Sequence, residues 1–326
     1  MLTLKEICEP IKKELSDYEV EFKKLLSSNV FLIDKVVKYI VRQKGKRLRP
    51  IFVILTSKMH NGVALDSRKL KAAAIMELLH TATLMHDDVV DSSPRRRGLP
   101  AVNSIWKNKV SILMGDLLLS KSLLAMLSLK SMRAYEIYSE TAERMAEGEL
   151  LGLERSKDYR MEEEVYFKLI GDKTASLLAA ACQLGAVSSS ENEEDLSAMK
   201  EFGENIGIAF QIKDDLLDIL GKEKKTGKPF GHDIRESKVT LPLIYALKQA
   251  KKSASRRLIR KIKNNPDKHD LNEIIAFVNE HGGVEYATKM ANQYSEKAIK
   301  SLERYPDTPY KRSLTELVEF VTTRES

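Results

Sequence analysis

Cysteine is nearly absent. Cys8 and Cys182 are the only two in a chain of 326 residues. They lie far apart, with no metal-ligand spacing, which excludes a disulfide framework and fits a reducing compartment. The N-terminal stretch MLTLKEICEPIKKELSDYE is charged early and lacks a secretory apolar core. No uninterrupted apolar run approaches the roughly 20 residues of a membrane span. The chain is therefore expected to be cytoplasmic. Alternating strand patterns are scarce, whereas apolar positions recur at three- and four-residue spacing nearly throughout, so the expected class is all-α. No linker rich in Pro, Gly or Ser divides the sequence, and residues 1–326 read as one helical domain around an apolar cavity.

The composition is that of a globular protein, 43% hydrophobic and 31% charged. The net charge of +7 reads as spread along the chain. It suits anionic partners such as phosphorylated metabolites, a membrane surface or nucleic acid. No basic module interleaved with aromatics is present, and KKSASRRLIRKIK (251–263) reads as a solvated helix face, so nucleic acid is not expected.

Pro10 predicts the first turn of a helix reaching Leu25, followed by helices over Val30–Arg42, from Pro50 to Asn61-Gly62, and from Ser67 to Asp91 behind an Asp66 cap. A basic loop then runs to Pro100. Further helices are expected over Lys109–Leu129, Met145–Glu154, Tyr166–Ala186 and Glu201–Leu220. The stretch Lys222–Ser237 reads as a loop, and amphipathic helices follow from Lys238, broken near Asn264–Asp267 and Gly282-Gly283.

Chemistry concentrates in TATLMHDDVVDSSPRRRGLP (81–100). Asp87, Asp88 and Asp91 crowd one end of a helix, a spacing that is destabilising unless a cation neutralises it. Oxygen-only clusters suit magnesium, which binds through carboxylates plus phosphate oxygens. One such cluster is as easily a solvated helix end. Asp214, Asp215 and Asp218 repeat the pattern as DDLLD, and two such helices face to face would hold a diphosphate between several Mg²⁺ ions. Lys46, Arg47 and Arg49 form one basic set, and Arg95, Arg96 and Arg97 another. Arginine forks match phosphate oxygens, and their placement favours two anionic substrates. His80 and His86 read first as packed helix residues, and Lys173, Thr174 and Gln211 as ordinary ones.

GKRLRP, ELLHTATLMHDDVVDSSPRRRG, GDLL (Gly115–Leu118), EGE (Glu147–Glu149), GDKTA (Gly171–Ala175), FQIKDDLLD and GKPFGHDIRESKVTLPLI (Gly227–Ile244) occur in this order. From about Lys44 to Leu317 the chain resembles the trans-isoprenyl (polyprenyl) diphosphate synthases, most of all the heptaprenyl and octaprenyl type. The resemblance implies a prenyltransferase that ionises an allylic diphosphate and adds isopentenyl diphosphate to it. It implies three Mg²⁺ per site. Asp87, Asp91 and Asp214 are then direct ligands, with Asp88, Asp215 and Asp218 supporting them or binding through water. It further implies Lys46, Arg49, His80 and Arg97 for isopentenyl diphosphate, and Arg96, Lys173, Lys228 and Lys238 for the allylic diphosphate. Thr174 and Gln211 would lie near the developing carbocation. The bound diphosphate serves as base, so no protein base is needed.

Some positions depart from the family pattern. Gly152 stands where Gln is common, which puts a supporting polar contact in doubt. Ser237 replaces a usual Gly, Pro94-Arg95 is an unusual lead-in to Arg96-Arg97, and Lys213 directly precedes Asp214.

A helical turn rises about 5.4 Å, close to one isoprene unit. By the same resemblance, aromatic residues four or five positions before the first aspartate stop the product early. Here those positions hold Thr83 and Ala82, both small, which implies a longer product of about seven or eight units for a quinone side chain. Met76, Leu79, Leu119, Leu123 and Met126 are candidates for a deeper floor. A homodimer built through about Asn103–Leu129 is expected, with transient membrane association aiding release of the product. The rival readings are a geranylgeranyl diphosphate synthase and a subunit of a hetero-oligomeric synthase. A terpene cyclase is disfavoured by GKRLRP and DDLLD.

Overall fold

The computed structural model describes residues 2–43, 45–61, 67–156, 158–190, 192–220, 231–236, 238–264 and 266–323. Sixteen α-helices carry these residues, and the one sheet is a two-residue hairpin. Thr3 caps α1 (Leu4–Ile7) in a reciprocal capping box with Glu6. Next come α2 (Lys12–Leu26), α3 (Phe31–Arg42) and α4 (Leu48–Asn61), the last starting two residues before Pro50. The long helix α5 (Ser67–Val90) carries the first aspartates at its end. Asp66, its expected cap, lies outside the described residues.

The basic loop is a tight hairpin. Arg95-Arg96 pairs with Leu99-Pro100, and Arg97 and Gly98 turn the chain with positive φ. Helix α6 spans Val102–Leu127 with a break at Lys107, and Ser131 caps α7 (Met132–Arg155). The polar first half of α7 hid its true length from sequence periodicity. The expected helix Tyr166–Ala186 divides into α8 (Glu163–Ile170), a π turn at Gly171–Ala175, and α9 (Ser176–Val187). The second aspartates end α10 (Glu193–Leu220). A single turn, α11 (His232–Arg235), precedes α12 (Leu241–Gln249), α13 (Lys252–Lys263), α14 (Lys268–Glu280), α15 (Gly283–Ser301) and α16 (Pro309–Thr323).

The core divides in two. One cluster joins α4, α5 and α9 with the N-terminal helices and α16. The other joins α8 and the end of α10 to α12, α13, α14 and α15. The two aspartate helices reach the site from these two halves. On α10, Gly203 and Gly207 lie against backbone: a Cβ would come 2.4 Å from Ala179 Cα and 2.5 Å from Ala175 Cα. This close approach sets Gln211, one turn on, against the π turn.

Helix α6 has the length and composition of a membrane span, with a mean hydropathy of 1.7 over its best window. A search for unbroken apolar runs passes over it, because polar residues are interspersed. One face packs on α5. The other exposes Ile105, Ile112, Leu113, Leu124 and Leu127, and α7 exposes Leu150 and Leu153.

Candidate active site

The ends of α5 and α10 form the acidic part of a cleft. Burial, and next the Glu149 charge, push the Asp87 carboxyl up to about 6, with Lys173 and Arg96 acting against this and Asp91 adding to it. Lys173 Nζ lies 2.5 Å from Glu149 Oε2. Helix α7 thus brings a carboxylate to the first aspartates, and the π turn brings a cation. A π turn adds a residue to the helical ladder and is frequent at functional sites. The sequence motif EGE contains Glu149, but nothing in its local pattern marks that residue for the cleft.

Asp88 is fully buried. Its Oδ1 accepts from Arg96 Nε at 2.7 Å, while its Oδ2 is buried without a partner. Asn103 Nδ2 donates to the Asp88 carbonyl at 2.8 Å. Asp88 therefore ties the helix end to the basic hairpin.

Asp215 has the corresponding position on α10. Its Oδ2 accepts from Tyr166 OH at 2.7 Å and its Oδ1 from Gln211 Nε2 at 2.9 Å. Gln211 Oε1 in turn accepts from Thr174 Oγ1 at 3.0 Å. Both Asp215 oxygens accept hydrogen bonds from protein, which suits the supporting role expected of it. Burial, and next the Asp233 charge, raise its pKa.

Asp218 Oδ2 accepts from the Asp233 backbone N–H at 3.0 Å. Lys238 Nζ lies 2.6 Å from Glu236. Burial works to lower the Lys238 pKa, but the Glu236 hydrogen bond and the charges of Glu236, Asp233 and Asp91 outweigh it. Lys238 thus feels Asp91 of α5 and Asp233 beside α10 together, so the two acidic sets share one cleft. Asp233 and Tyr166 are site residues that the sequence did not single out. Lys228, an expected diphosphate ligand, lies outside the described residues.

The basic part lies next to it. A small cleft is lined by Arg47, Glu77, Thr81, Arg96 and Arg97, with Phe22, Ile40 and Leu84 on its apolar wall. Arg97 donates to the Gln43 carbonyl at 2.8 Å, and Arg47 to Glu19 at 2.6 Å. Arg96 and Arg97, expected to serve different diphosphates, share this cleft.

Arg49 is half-buried with its Nε unpartnered, and burial lowers its pKa to about 10, so it stays charged. Burial, followed by the Arg49, Arg97 and Arg96 cations, holds His80 well below its usual range, so its ring is neutral at pH 7. Glu77 is buried among these cations, which oppose the upward push of its burial. The sequence reading passed over Glu77. Lys46 is exposed, 5.5 Å over the Phe320 ring. His86 is turned away: its Nε2 lies 3.2 Å from Asp116 Oδ1, and its ring fills the space where a Gly115 side chain would stand.

Ala82 is buried and Thr83 half-buried, its hydroxyl donating to the His80 carbonyl at 2.9 Å. Met76, Leu79 and Met126 are buried, while Leu119 and Leu123 are half-buried. Ala72 lies fifteen residues before Asp87, about 22 Å along α5. There an open pocket combines Ala72, Leu129 and Leu184 with the charged Arg68, Arg133 and Glu193.

The donor set fits magnesium in its chemistry, being all oxygen. It does not close into a cage. Among the described residues, the only three His, Cys, Asp or Glu ligand atoms within 4.8 Å of one another belong to Asp267, His269 and Asp270. Asp267 there caps α14, and Asp270 pairs with Lys261. An open carboxylate set suits an ion completed by phosphate oxygens and water.

A helical bundle with two acidic helix ends and a basic cleft beside the first of them defines an enzyme that handles diphosphates. Residues 31–278 match the polyprenyl synthetase family model. The chain is 33% identical to the octaprenyl diphosphate synthase of Escherichia coli, covering 99% of this chain and 100% of that one. It is 31% identical to heptaprenyl diphosphate synthase component 2 of Geobacillus stearothermophilus, over 99% and 100% of the two chains. The crystal structure of a polyprenyl synthase from Caulobacter crescentus, complexed with calcium and isoprenyl diphosphate, superposes with a TM-score of 0.92 at 32% identity, covering 99% of this chain and 98% of that one. The chain belongs to the polyprenyl (trans-isoprenyl) diphosphate synthase family and is a prenyltransferase.

Proposed function

We propose that the protein condenses isopentenyl diphosphate with an allylic diphosphate to give an all-trans polyprenyl diphosphate of about seven or eight units, for a quinone side chain or a related isoprenoid. The observation that carries this reading is the single cleft in which Asp91 and Asp233 act together on Lys238 while Asp87 faces Glu149 and Lys173. Asp87, Asp91 and Asp214 would hold magnesium, three ions in all, with Asp218 alongside and Asp88 and Asp215 positioning. Magnesium held there would supply electrostatic stabilisation for the charge that develops on a departing diphosphate.

Lys173, Arg96, Lys228 and Lys238 hold the allylic diphosphate. Lys46, Arg49, His80 and Arg97 hold isopentenyl diphosphate, with His80 neutral and able to donate one hydrogen bond. The allylic C–O bond breaks, a carbon–carbon bond forms to isopentenyl diphosphate, and the adduct loses a proton to the released diphosphate. Thr174 and Gln211, hydrogen-bonded to each other, present oxygen to the cation while the apolar wall excludes water.

A long product is supported by the small side chains of Ala82 and Thr83. Mass analysis of the product made from farnesyl diphosphate and isopentenyl diphosphate tests this. A twenty-carbon end product would assign a geranylgeranyl diphosphate synthase instead.

We further propose a homodimer through the exposed apolar face of α6, and a cytoplasmic location in keeping with two buried free thiols. The name of the Geobacillus relative, a component, motivates a second reading as one subunit of a hetero-oligomer. Magnesium-dependent incorporation of isopentenyl diphosphate by the purified chain decides between them.

A further inference from the structure

The net charge of the chain is not spread out. Segment 251–263 holds seven Lys and Arg residues and no Asp or Glu, equal to the formal +7 of the entire sequence, so the rest balances to zero. Helix α13 displays this excess. Leu258 and Ile262 are buried in the second core, and Lys261 is tied to Asp270 and Glu273 at 2.9 and 2.6 Å.

The other six cations, Lys251, Lys252, Arg256, Arg257, Arg260 and Lys263, are exposed. Among the described residues none of these six makes an ion pair. Lys252, Arg256, Arg260 and Lys263 recur at spacings of four, four and three, which lines them along one face. Like charges at this spacing destabilise a helix, and an anionic surface relieves them.

We propose that α13 is a docking strip for membranes rich in anionic lipid. This rests on the reading of the product as a long polyprenyl diphosphate, which is too apolar to diffuse freely in water. Leu258 and Ile262 anchor the helix by its apolar face in the second core, so the cationic face is held toward solvent. Because the apolar face of α13 is already packed inward, contact is electrostatic and involves no insertion. Such binding requires anionic lipid and falls with salt.

The test is co-sedimentation of the full chain with phosphatidylcholine vesicles, with and without phosphatidylglycerol. The wild type is expected to pellet only with the anionic vesicles and to be released by high salt. Changing Lys252→Gln, Arg256→Gln, Arg260→Gln and Lys263→Gln together is expected to weaken binding by at least about a hundredfold, at roughly fivefold per cation. Its melting temperature should not fall below that of the wild type, since removing like charges relieves repulsion, and its turnover in detergent should match, since these residues are not part of the cleft.

Equal binding to neutral vesicles, undiminished binding by the variant, or no binding at all would overturn the proposal. So would a single-stranded RNA bound as tightly as the vesicles and lost in the same variant, because the strip would then serve nucleic acid. Turnover in detergent without vesicle binding defeats the docking proposal alone. Absent turnover defeats the functional reading and leaves the vesicle result to be judged by itself.

Discussion

Lys173 Nζ stands 2.5 Å from Glu149 Oε2, and both charges act on Asp87. A cation held by a neighbouring carboxylate is aimed before any diphosphate arrives. Lys173→Gln is expected to lower kcat by about a hundredfold to a thousandfold, the range for losing one donor to developing charge. The KM for isopentenyl diphosphate should change little. Glu149→Gln should cost less, and the double variant should fall short of the product of the two effects, because the residues are in contact. Steady-state kinetics on the four proteins of the cycle measure this, and full multiplicativity would show that the pair does not act as a unit.

The basic cleft makes a complementary prediction. Arg97→Met removes a charged donor whose guanidinium feels the charges of Glu77, Arg96 and Arg47. The KM for isopentenyl diphosphate should rise about tenfold to a hundredfold, as expected for a hydrogen bond to a charged group, with the allylic KM nearly unchanged. A rise in both would mean that Arg96 and Arg97, which share the cleft, also share one diphosphate.

Ala82→Phe is expected to shorten the product and leave the first condensation intact. Because Ala82 is 1% exposed, the larger ring also overpacks the core, at a cost of about 1–3 kcal/mol. Thr83→Phe, at a half-buried neighbour, gives the same test with less strain. Product mass spectra read both, and unchanged chain lengths in both variants would remove this face of α5 from the tail's path.

Asp172 links acid stability to the π turn. Burial alone would raise its carboxyl pKa, but the hydrogen bonds from Lys168 and Arg144 outweigh burial and hold the value below the usual range. The sign follows: its contribution is present above the unfolded-state pKa and is lost as pH falls through the lower folded value. Asp172→Asn should therefore destabilise the protein by about 1.5 kcal/mol at neutral pH, the low end for a charged hydrogen bond given how exposed Lys168 is. The difference should shrink as the solution becomes acidic. Denaturant midpoints across pH check this, and a constant difference would exclude a charge effect.

The apolar face of α6 predicts assembly. Leu113→Glu with Leu124→Glu places charge on two residues that are 57% and 69% exposed. In solution, light scattering should show the mass of two chains for the wild type and of one for the variant. A wild-type monomer would leave that face to another partner.

Much of this site was legible because its chemistry is written locally. Three aspartates within five residues, and arginines within reach of them, announce themselves on one helix end. What stayed hidden was set by packing between distant segments. Tyr166 reaches Asp215 across forty-nine residues, and no pattern around the tyrosine signals it. Glu77 looks like any polar residue in an apolar helix until Arg47, Arg49 and Arg97 gather round it. The first half of α7 escaped notice because its exposed polar surface masks the apolar repeat. Asp88 and Asp215 sit inside their motifs like their neighbours, and only burial distinguishes them as posts that hold Arg96, Tyr166 and Gln211.

The π turn at Gly171–Ala175 has a consequence for the chain on either side of it. An added residue offsets the helix by about 100°, so α8 and α9 run nearly in line yet present independent faces. Helix α9 can devote almost its entire circumference to the core, while α8 keeps Tyr166 on the second acidic set. The offset leaves Lys173 and Thr174 adjacent in sequence but turned to different partners, the ammonium to Glu149 of α7 and the hydroxyl to Gln211 of α10.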